Sequence, residues 1–185
     1  MFRAAAFVEL MAMWVAWGYP FVRKRFSRPK RESNVMAPRA TRGLLLQTAA
    51  MFFAWLRVPH TAEPALWRVV LSAAAAPAGV VFGWLALRHL GKQWRILAGL
   101  YPDHELVQTG PYSVVRHPVY ASMFLMMIAT GLQLAWWPLL VLAIVMYAVG
   151  TEIRIRGEEG LLRERFGEEF EAYKRRVPAY IPFLR

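Results

Sequence analysis

An all-α integral membrane protein, with about five transmembrane helices and a cytoplasmic C-terminal amphipathic helix, is the fold class that this sequence predicts. Of 185 residues, 57% are hydrophobic and eight are Trp, and the mean hydropathy is +0.30, too apolar for an ordinary soluble domain. The apolar residues gather in runs near the ~20 residues that a helix needs to cross a ~30 Å hydrocarbon core. The formal charge of +11 lies mainly between those runs, as in cytoplasmic loops of membrane proteins, so topology accounts for it without nucleic acid. The sequence contains no Cys, which excludes disulfides, thiolate metal sites and cysteine nucleophiles.

The first element runs from about Phe2 to Val22, apolar except for Arg3 and Glu9. It reads as a span and not a cleavable signal peptide. No small-residue cleavage site follows, and the run leads into Arg23, Lys24 and Arg25 as a stop-transfer flank. Gly43 to Leu56 is a shorter apolar run; a turn at Pro59 to Pro64 joins it to the long run Ala65 to Leu87, and the two are expected to pair as a helical hairpin. Pro77 and Gly79 within the long run predict a kink, tolerable in a membrane where neighbours and Ser72 can satisfy the freed backbone groups.

From Gly91 to Arg116 the chain is polar and without period, a long loop. Pro118 to Leu134 and Leu139 to Val149 are apolar again, with Trp136, Trp137 and Pro138 between them as an interfacial turn, predicting a second hairpin. From Thr151 charge dominates, while Leu161, Leu162, Phe166, Phe170 and Tyr173 recur at helical spacing, which predicts an amphipathic helix on the membrane surface, stopped by Pro178 and Pro182. The tail Tyr180 to Leu184 is largely apolar.

Lys and Arg crowd the segment Arg23 to Arg42, the Gly91 to Arg116 loop and the C-terminal segment, whereas Gln133 to Pro138 has none. The positive-inside bias then places the N-terminus outside and the C-terminus in the cytoplasm. Arg23 to Arg42 reads as a topology signal with incidental contact to anionic lipid. The Trp residues read as interfacial anchors. His60 and His89 have no convincing metal partners, and no zinc or iron motif is present.

Two clusters share the cytoplasmic face. Gly110-Pro111-Tyr112, Arg116-His117-Pro118 and Tyr120 sit at the start of a span, where ionisable groups are costly and usually functional, although Arg116 and His117 could merely anchor a helix end. Glu152, Arg154, Arg156, Glu158 and Glu159 sit where the last span leaves the membrane. Arg154 and Glu158 are four apart and share a helical face, which is equally the pattern of a solvated surface salt bridge.

The ordered blocks LGKQWR (Leu90 to Arg95), HELVQTGPY (His104 to Tyr112), VRHPVY (Val115 to Tyr120), RIRGEEGLL (Arg154 to Leu162) and FGEEFEAYKRRVPAYIPF (Phe166 to Phe183) closely resemble the isoprenylcysteine carboxyl methyltransferase family, which is related to the phospholipid methyltransferases. The resemblance covers about the C-terminal half. It implies N-terminal transmembrane helices over residues 1–90 and a catalytic, cofactor-binding half over residues 91–185. It also implies S-adenosyl-L-methionine as cofactor and a lipophilic or prenylated acceptor reached from the bilayer. The resemblance places Arg154 and Glu158 at the acceptor. It places the cofactor among His104, Leu106, Val107, Gly110, Pro111, Tyr112, Arg116, His117, Pro118, Tyr120 and Glu159.

Those residue types suit the cofactor, which needs a carboxylate or aromatic face for its cations, a basic group for its carboxylate and backbone groups for adenine; Gly110 and Pro111 are expected to turn the loop tightly against it. A carboxylate acceptor needs no general base, whereas an amine or thiol would need its proton removed, by His117 or Glu158. The family's RHPxYxG pattern ends here in Ser122, which is expected to hinder close approach there. The extra N-terminal spans of animal members are missing, which points to a prokaryotic member in a bacterial or archaeal inner membrane. Other readings are a phospholipid or small-thiol methyltransferase, an NADPH-dependent reductase like the sterol reductases, a transporter and a noncatalytic membrane protein; inverted repeats expected of a transporter are not evident.

Overall fold

Five long helices form because five apolar stretches are each bounded by charge, Gly or Pro. The computed structural model describes residues 2–26, 35–36, 38–57, 64–95 and 99–180. The elements are α1 (Phe2–Phe26), β1 (Val35–Met36), α2 (Pro38–Trp55), α3 (Leu66–Leu90), a 3₁₀ turn (Gly91–Gln93), β2 (Gly99–Leu100), a second 3₁₀ turn (Gly110–Ser113), α4 (Pro118–Leu134), α5 (Trp137–Phe166) and α6 (Glu168–Arg176). β1 and β2 form a two-residue antiparallel bridge, Val35 opposite Leu100. Most of the expected turn at Pro59 to Pro64, including His60, lies outside the described residues. So do Arg28, Lys30 and Arg31 of the basic segment and the tail after Tyr180.

Among the described residues, three helices are long and apolar enough to cross a membrane: Ala4–Arg25, Leu66–Gln93 and Trp137–Phe166. The protein is a helical membrane protein. α4 is shorter but apolar, and at ~1.5 Å per residue its 17 residues rise about 25 Å. Large apolar side chains such as Val15, Val70, Val81 and Val145 are exposed on the outer helix faces, as they are where lipid is the solvent.

The helices pack differently from the two sequential hairpins expected. α2 packs most extensively against α5 and hardly touches α3, and α3's main partner is α4. Glycines explain the choice, because in lipid small residues, and not apolarity, select which helices approach closely. At the α2–α5 crossing a Cβ on Gly43 would collide with the Gly150 carbonyl, and one on Gly150 would come within 2.7 Å of the Gly43 carbonyl oxygen. On α3, Gly79 lies against Leu125 and Met126 and Gly83 against Ser122 of α4. α4 is thereby buried on two sides. Met127 joins Ala50, Ala54, Ala143 and Tyr147 in one core, and Met126 and Ala129 join Leu10 and Ala76 in another.

Two further expectations are corrected. The last span and the charged segment beyond Thr151 are one continuous 30-residue helix, α5, so the separate amphipathic helix shrinks to the nine residues of α6. Gly150, Gly157 and Gly160 lie within α5 without breaking it, and Gly167, at φ +52°, ends it. The Trp residues also divide. Trp67 and Trp137 stack at one end, where Arg68 lies 4.7 Å over Trp137 and donates to the carbonyls of Gly131 and Ala135, capping α4. Trp14, Trp17 and Trp84 instead tie helices together, through Thr130 Oγ1 (2.9 Å), Ser122 Oγ (3.2 Å) and the Ala16 carbonyl (2.8 Å).

Candidate active site

The first charged cluster is built where the chain enters α4. Pro118 starts the helix and has no N–H to satisfy, while the backbone N–H groups of Arg116 and His117 donate to the carbonyls of Pro178 and Ala179 (both 2.8 Å). Tyr173 Oη donates to the Tyr112 carbonyl at 2.6 Å, and Phe170, Tyr173 and Val177 pack with Leu106 and Leu162. α6 and the segment after it thus clamp the loop before α4 onto the charged half of α5.

That clamp brings both charged clusters together. Arg116 donates to Glu159 Oε1 through Nε (2.9 Å) and Nη2 (2.7 Å), and its Nη1 donates to the carbonyls of Lys174 and Val177. Lys174 adds a third cation contact to Glu159, at 2.7 Å. One residue earlier, and about 100° around the helix, Glu158 faces another way. It accepts from Tyr120 Oη and lies 3.5 Å from Arg154 Nη2. His117 bridges the two carboxylates, with Nδ1 3.6 Å from Glu158 and Nε2 3.4 Å from Glu159. Burial opposes its protonated form, but the two carboxylates outweigh burial and raise its pKa.

Arg154 is only 6% exposed, so the solvated salt bridge that its spacing also allowed is not what forms. Its guanidinium lies 5.0 Å from the centre of the Tyr120 ring and donates to Gln47 Oε1 at 3.3 Å; Gln47 Nε2 in turn donates to Thr151 Oγ1 at 2.8 Å. The Gly43–Gly150 crossing is what lets Gln47, one turn along α2, reach α5 at this depth.

A cavity of about 390 Å³ opens beside this cluster, within the ~300–1,000 Å³ usual for small-molecule sites. Trp17 and Phe21 of α1, Leu44 of α2, Val119 and Met123 of α4 and Leu161 of α5 form an apolar wall. Gln93, Arg95, His104, Tyr112, Arg116, His117, Tyr120, Arg154 and Glu158 form a polar one. Leu106 and Val107 line a smaller adjoining recess of about 60 Å³. Burial raises the pKa of the Tyr112 phenol, and burial together with Arg95 lowers that of His104, so both are neutral at pH 7.

The structure therefore gathers His104, Tyr112, Arg116, His117, Tyr120, Arg154 and Glu158 at one cavity wall. Glu159 and Pro118 stand behind that wall. Gly110, at φ +59°, turns the chain against His89, where a Cβ would collide with the imidazole. The tight approach expected of Gly110 and Pro111 is thus made to His89, which also bonds Thr109 Oγ1 at 3.1 Å. Ser122 is buried between α4 and α3, accepts from Trp17 and donates to the Val119 carbonyl at 2.8 Å. It faces away from the cavity, and the hindrance expected of it does not arise. Sequence reasoning missed Gln47 and Gln93. Gln47 carried a readable signal, a carboxamide in the middle of an apolar run, where polar groups are costly unless used.

A methyl donor of the adenosyl-sulfonium class can be tested against this cavity. Gln93 is 4% exposed, and neither atom of its carboxamide has a hydrogen-bond partner; Arg95 Nη1 and His104 Nδ1 are likewise buried without one. Buried polar atoms without partners are uncommon in native proteins. A ligand carrying both donors and acceptors satisfies all three, so the residues present fit such a group.

Residues 72–164, half of the chain, match the model of the isoprenylcysteine carboxyl methyltransferase family. The chain is 39% identical over 80 residues to a nickel-cobalt-cadmium resistance protein, NccN, of Alcaligenes xylosoxydans xylosoxydans, in an alignment covering 43% of this chain and 37% of that one. It is 35% identical over 83 residues to a protein-S-isoprenylcysteine O-methyltransferase of Schizosaccharomyces pombe, covering 44% of this chain and 35% of that one. It is 31% identical over 102 residues to the uncharacterized protein YpbQ of Bacillus subtilis, covering 55% and 60%. Each match covers less than two thirds of the relative's own length.

Proposed function

Because the chain belongs to the isoprenylcysteine carboxyl methyltransferase family, we propose that it is a membrane-embedded methyltransferase that uses S-adenosylmethionine to methylate a carboxylate on a lipophilic acceptor, a prenylated cysteine or a similar small molecule. The observation that carries this reading is the pair of buried Arg154 and part-exposed Glu158 at the junction of an apolar and a polar cavity wall.

When bound, the cofactor supplies an electrophilic methyl group. Arg154, held by Gln47 and Glu158, presents a guanidinium that fits a carboxylate. The side chains of Trp17, Phe21, Leu44 and Met123 accept an apolar tail, and exclusion of water there favours attack by an anion on a cation, since opposite charges neutralise as the bond forms. Glu158 and the faces of Tyr112 and Tyr120 lie where a sulfonium would be stabilised. Of the two candidate bases for an amine or thiol acceptor, His117 is held toward its protonated form by two carboxylates, which leaves Glu158 as the one able to take a proton.

Five transmembrane helices with the cavity at the cytoplasmic face, in a prokaryotic inner membrane, complete the proposal. The supporting feature is the crowding of Lys and Arg in the segments around the cavity. The test is calorimetric titration of S-adenosylmethionine and S-adenosylhomocysteine into detergent-purified protein, with NADPH as control, followed by transfer of labelled methyl to a prenylated cysteine. Saturable binding of both sulfur ligands and labelling of the carboxylate are expected. NADPH binding alone would move the protein to reductase chemistry.

A further inference from the structure

Gln93 ends the 3₁₀ turn that follows α3, in a block that sequence reading matched but to which no role attached. Its side chain lines the cavity and is almost fully buried, yet among the described residues it makes no hydrogen bond. A purely structural buried carboxamide would be tied to its surroundings, as that of Gln47 is. Two residues on, Arg95 lines the same cavity with Nη1 buried and unbonded. Of the other arginines lining the cavity, Arg25 stands at the end of α1, Arg154 is assigned above to the acceptor, and Arg116 is already engaged. Arg116 spends its guanidinium on Glu159 and on two carbonyls, and Arg154 is held by Gln47, Glu158 and Tyr120.

We propose that Gln93, seconded by Arg95, binds the α-amino-acid end of the methyl donor. The inference rests on the methyl-donor reading above. A carboxamide offers a donor and an acceptor side by side on one plane, and an α-amino acid presents a carboxylate and an ammonium on one carbon. Gln93 Nε2 donates to the carboxylate and Oε1 accepts from the ammonium. Arg95 supplies the charge that the carboxylate requires. Glu158, on the opposite side of the cluster, is left to the sulfonium and the acceptor. Gln93 thereby distinguishes an intact amino-acid-bearing cofactor from adenosyl compounds that lack that end.

The test titrates two ligands into the purified protein, S-adenosylhomocysteine and 5′-methylthioadenosine, which shares the thioether and nucleoside but has no amino-acid end. Gln93→Leu should weaken S-adenosylhomocysteine at least tenfold and leave methylthioadenosine within about twofold. Because the carboxamide is unpartnered, the apolar replacement should also leave the ligand-free Tm unchanged or raised. Arg95→Gln should reproduce the selective loss, and Gln93→Ala serves if the leucine variant misfolds. Equal weakening of both ligands would assign Gln93 to the nucleoside, and no weakening would leave it unused; either overturns the proposal. Failure of the wild-type protein to bind S-adenosylhomocysteine at all would remove the methyl-donor reading itself, and this inference with it.

Discussion

Glu158 and Glu159 are neighbours on one helix, yet their surroundings have little in common. Glu159 is enclosed by Arg116, Lys174 and His117, and its partners are in turn fixed to the backbone of the C-terminal segment. Glu158 meets Tyr120, Arg154 and His117 and lines the cavity. A step of about 100° around α5 separates a carboxylate that locks three pieces of chain together from one that faces the cavity. Charge clusters at the end of a span can therefore hold both roles at adjacent positions, and what tells them apart is which carboxylate lines the cavity.

The largest effect that separates them is on stability. Glu159→Gln leaves Arg116 and Lys174 buried without their counter-ion. Breaking such a buried network by removing one partner costs about 3–5 kcal/mol, so the variant's Tm in detergent should fall far below that of the wild type, whether or not ligand is present. Glu158→Gln keeps the hydrogen bond from Tyr120 but takes the carboxylate from buried Arg154, so Tm should fall too, though by less than for Glu159→Gln, because Glu158 is part-exposed and pairs with one arginine that Gln47 also holds. Methyl transfer, however, should fall about 100-fold, the scale of losing one oriented charge from an active site. A Glu158→Gln protein as unstable as Glu159→Gln, or one with full turnover, would erase the distinction.

Gln47 extends the comparison to the N-terminal helices. Replacing it by Leu removes the acceptor that holds Arg154 and should lower kcat/KM about thirtyfold, equivalent to about 2 kcal/mol. The loss should fall mainly on kcat if Arg154 is merely misaimed. Loss of Tm without loss of activity would make Gln47 a packing residue.

That role shows where the sequence was legible. The apolar runs, the i,i+4 spacing of Arg154 and Glu158 and the five motif blocks anticipated the helices and most of the cavity's polar wall. Hydropathy marks a helix but not its partner, because in lipid every apolar face is already satisfied. The α2–α5 pairing is decided by Gly43 and Gly150, more than a hundred residues apart, so Gln47 could be seen as unusual but not assigned to Arg154. Gln93 was hidden for another reason. Its carboxamide stands out only when every possible partner has been located and found absent.

The smallest effect concerns His117, which touches both carboxylates. Its pKa in the folded protein lies above the ordinary value of about 6.5, because Glu158 and Glu159 favour the imidazolium more than burial penalises it. A raised folded pKa means that its stabilising contribution is complete below about pH 6.5 and is lost as pH rises through the folded value, at about 1.4 kcal/mol for each unit of separation. His117→Gln is neutral throughout. The Tm difference between wild type and variant should be greatest near pH 6 and shrink as the pH is raised through the folded value. A difference that stays flat over that range would mean that the imidazole is uncharged in the folded protein. His117 would then be free to serve as a base for an amine or thiol acceptor.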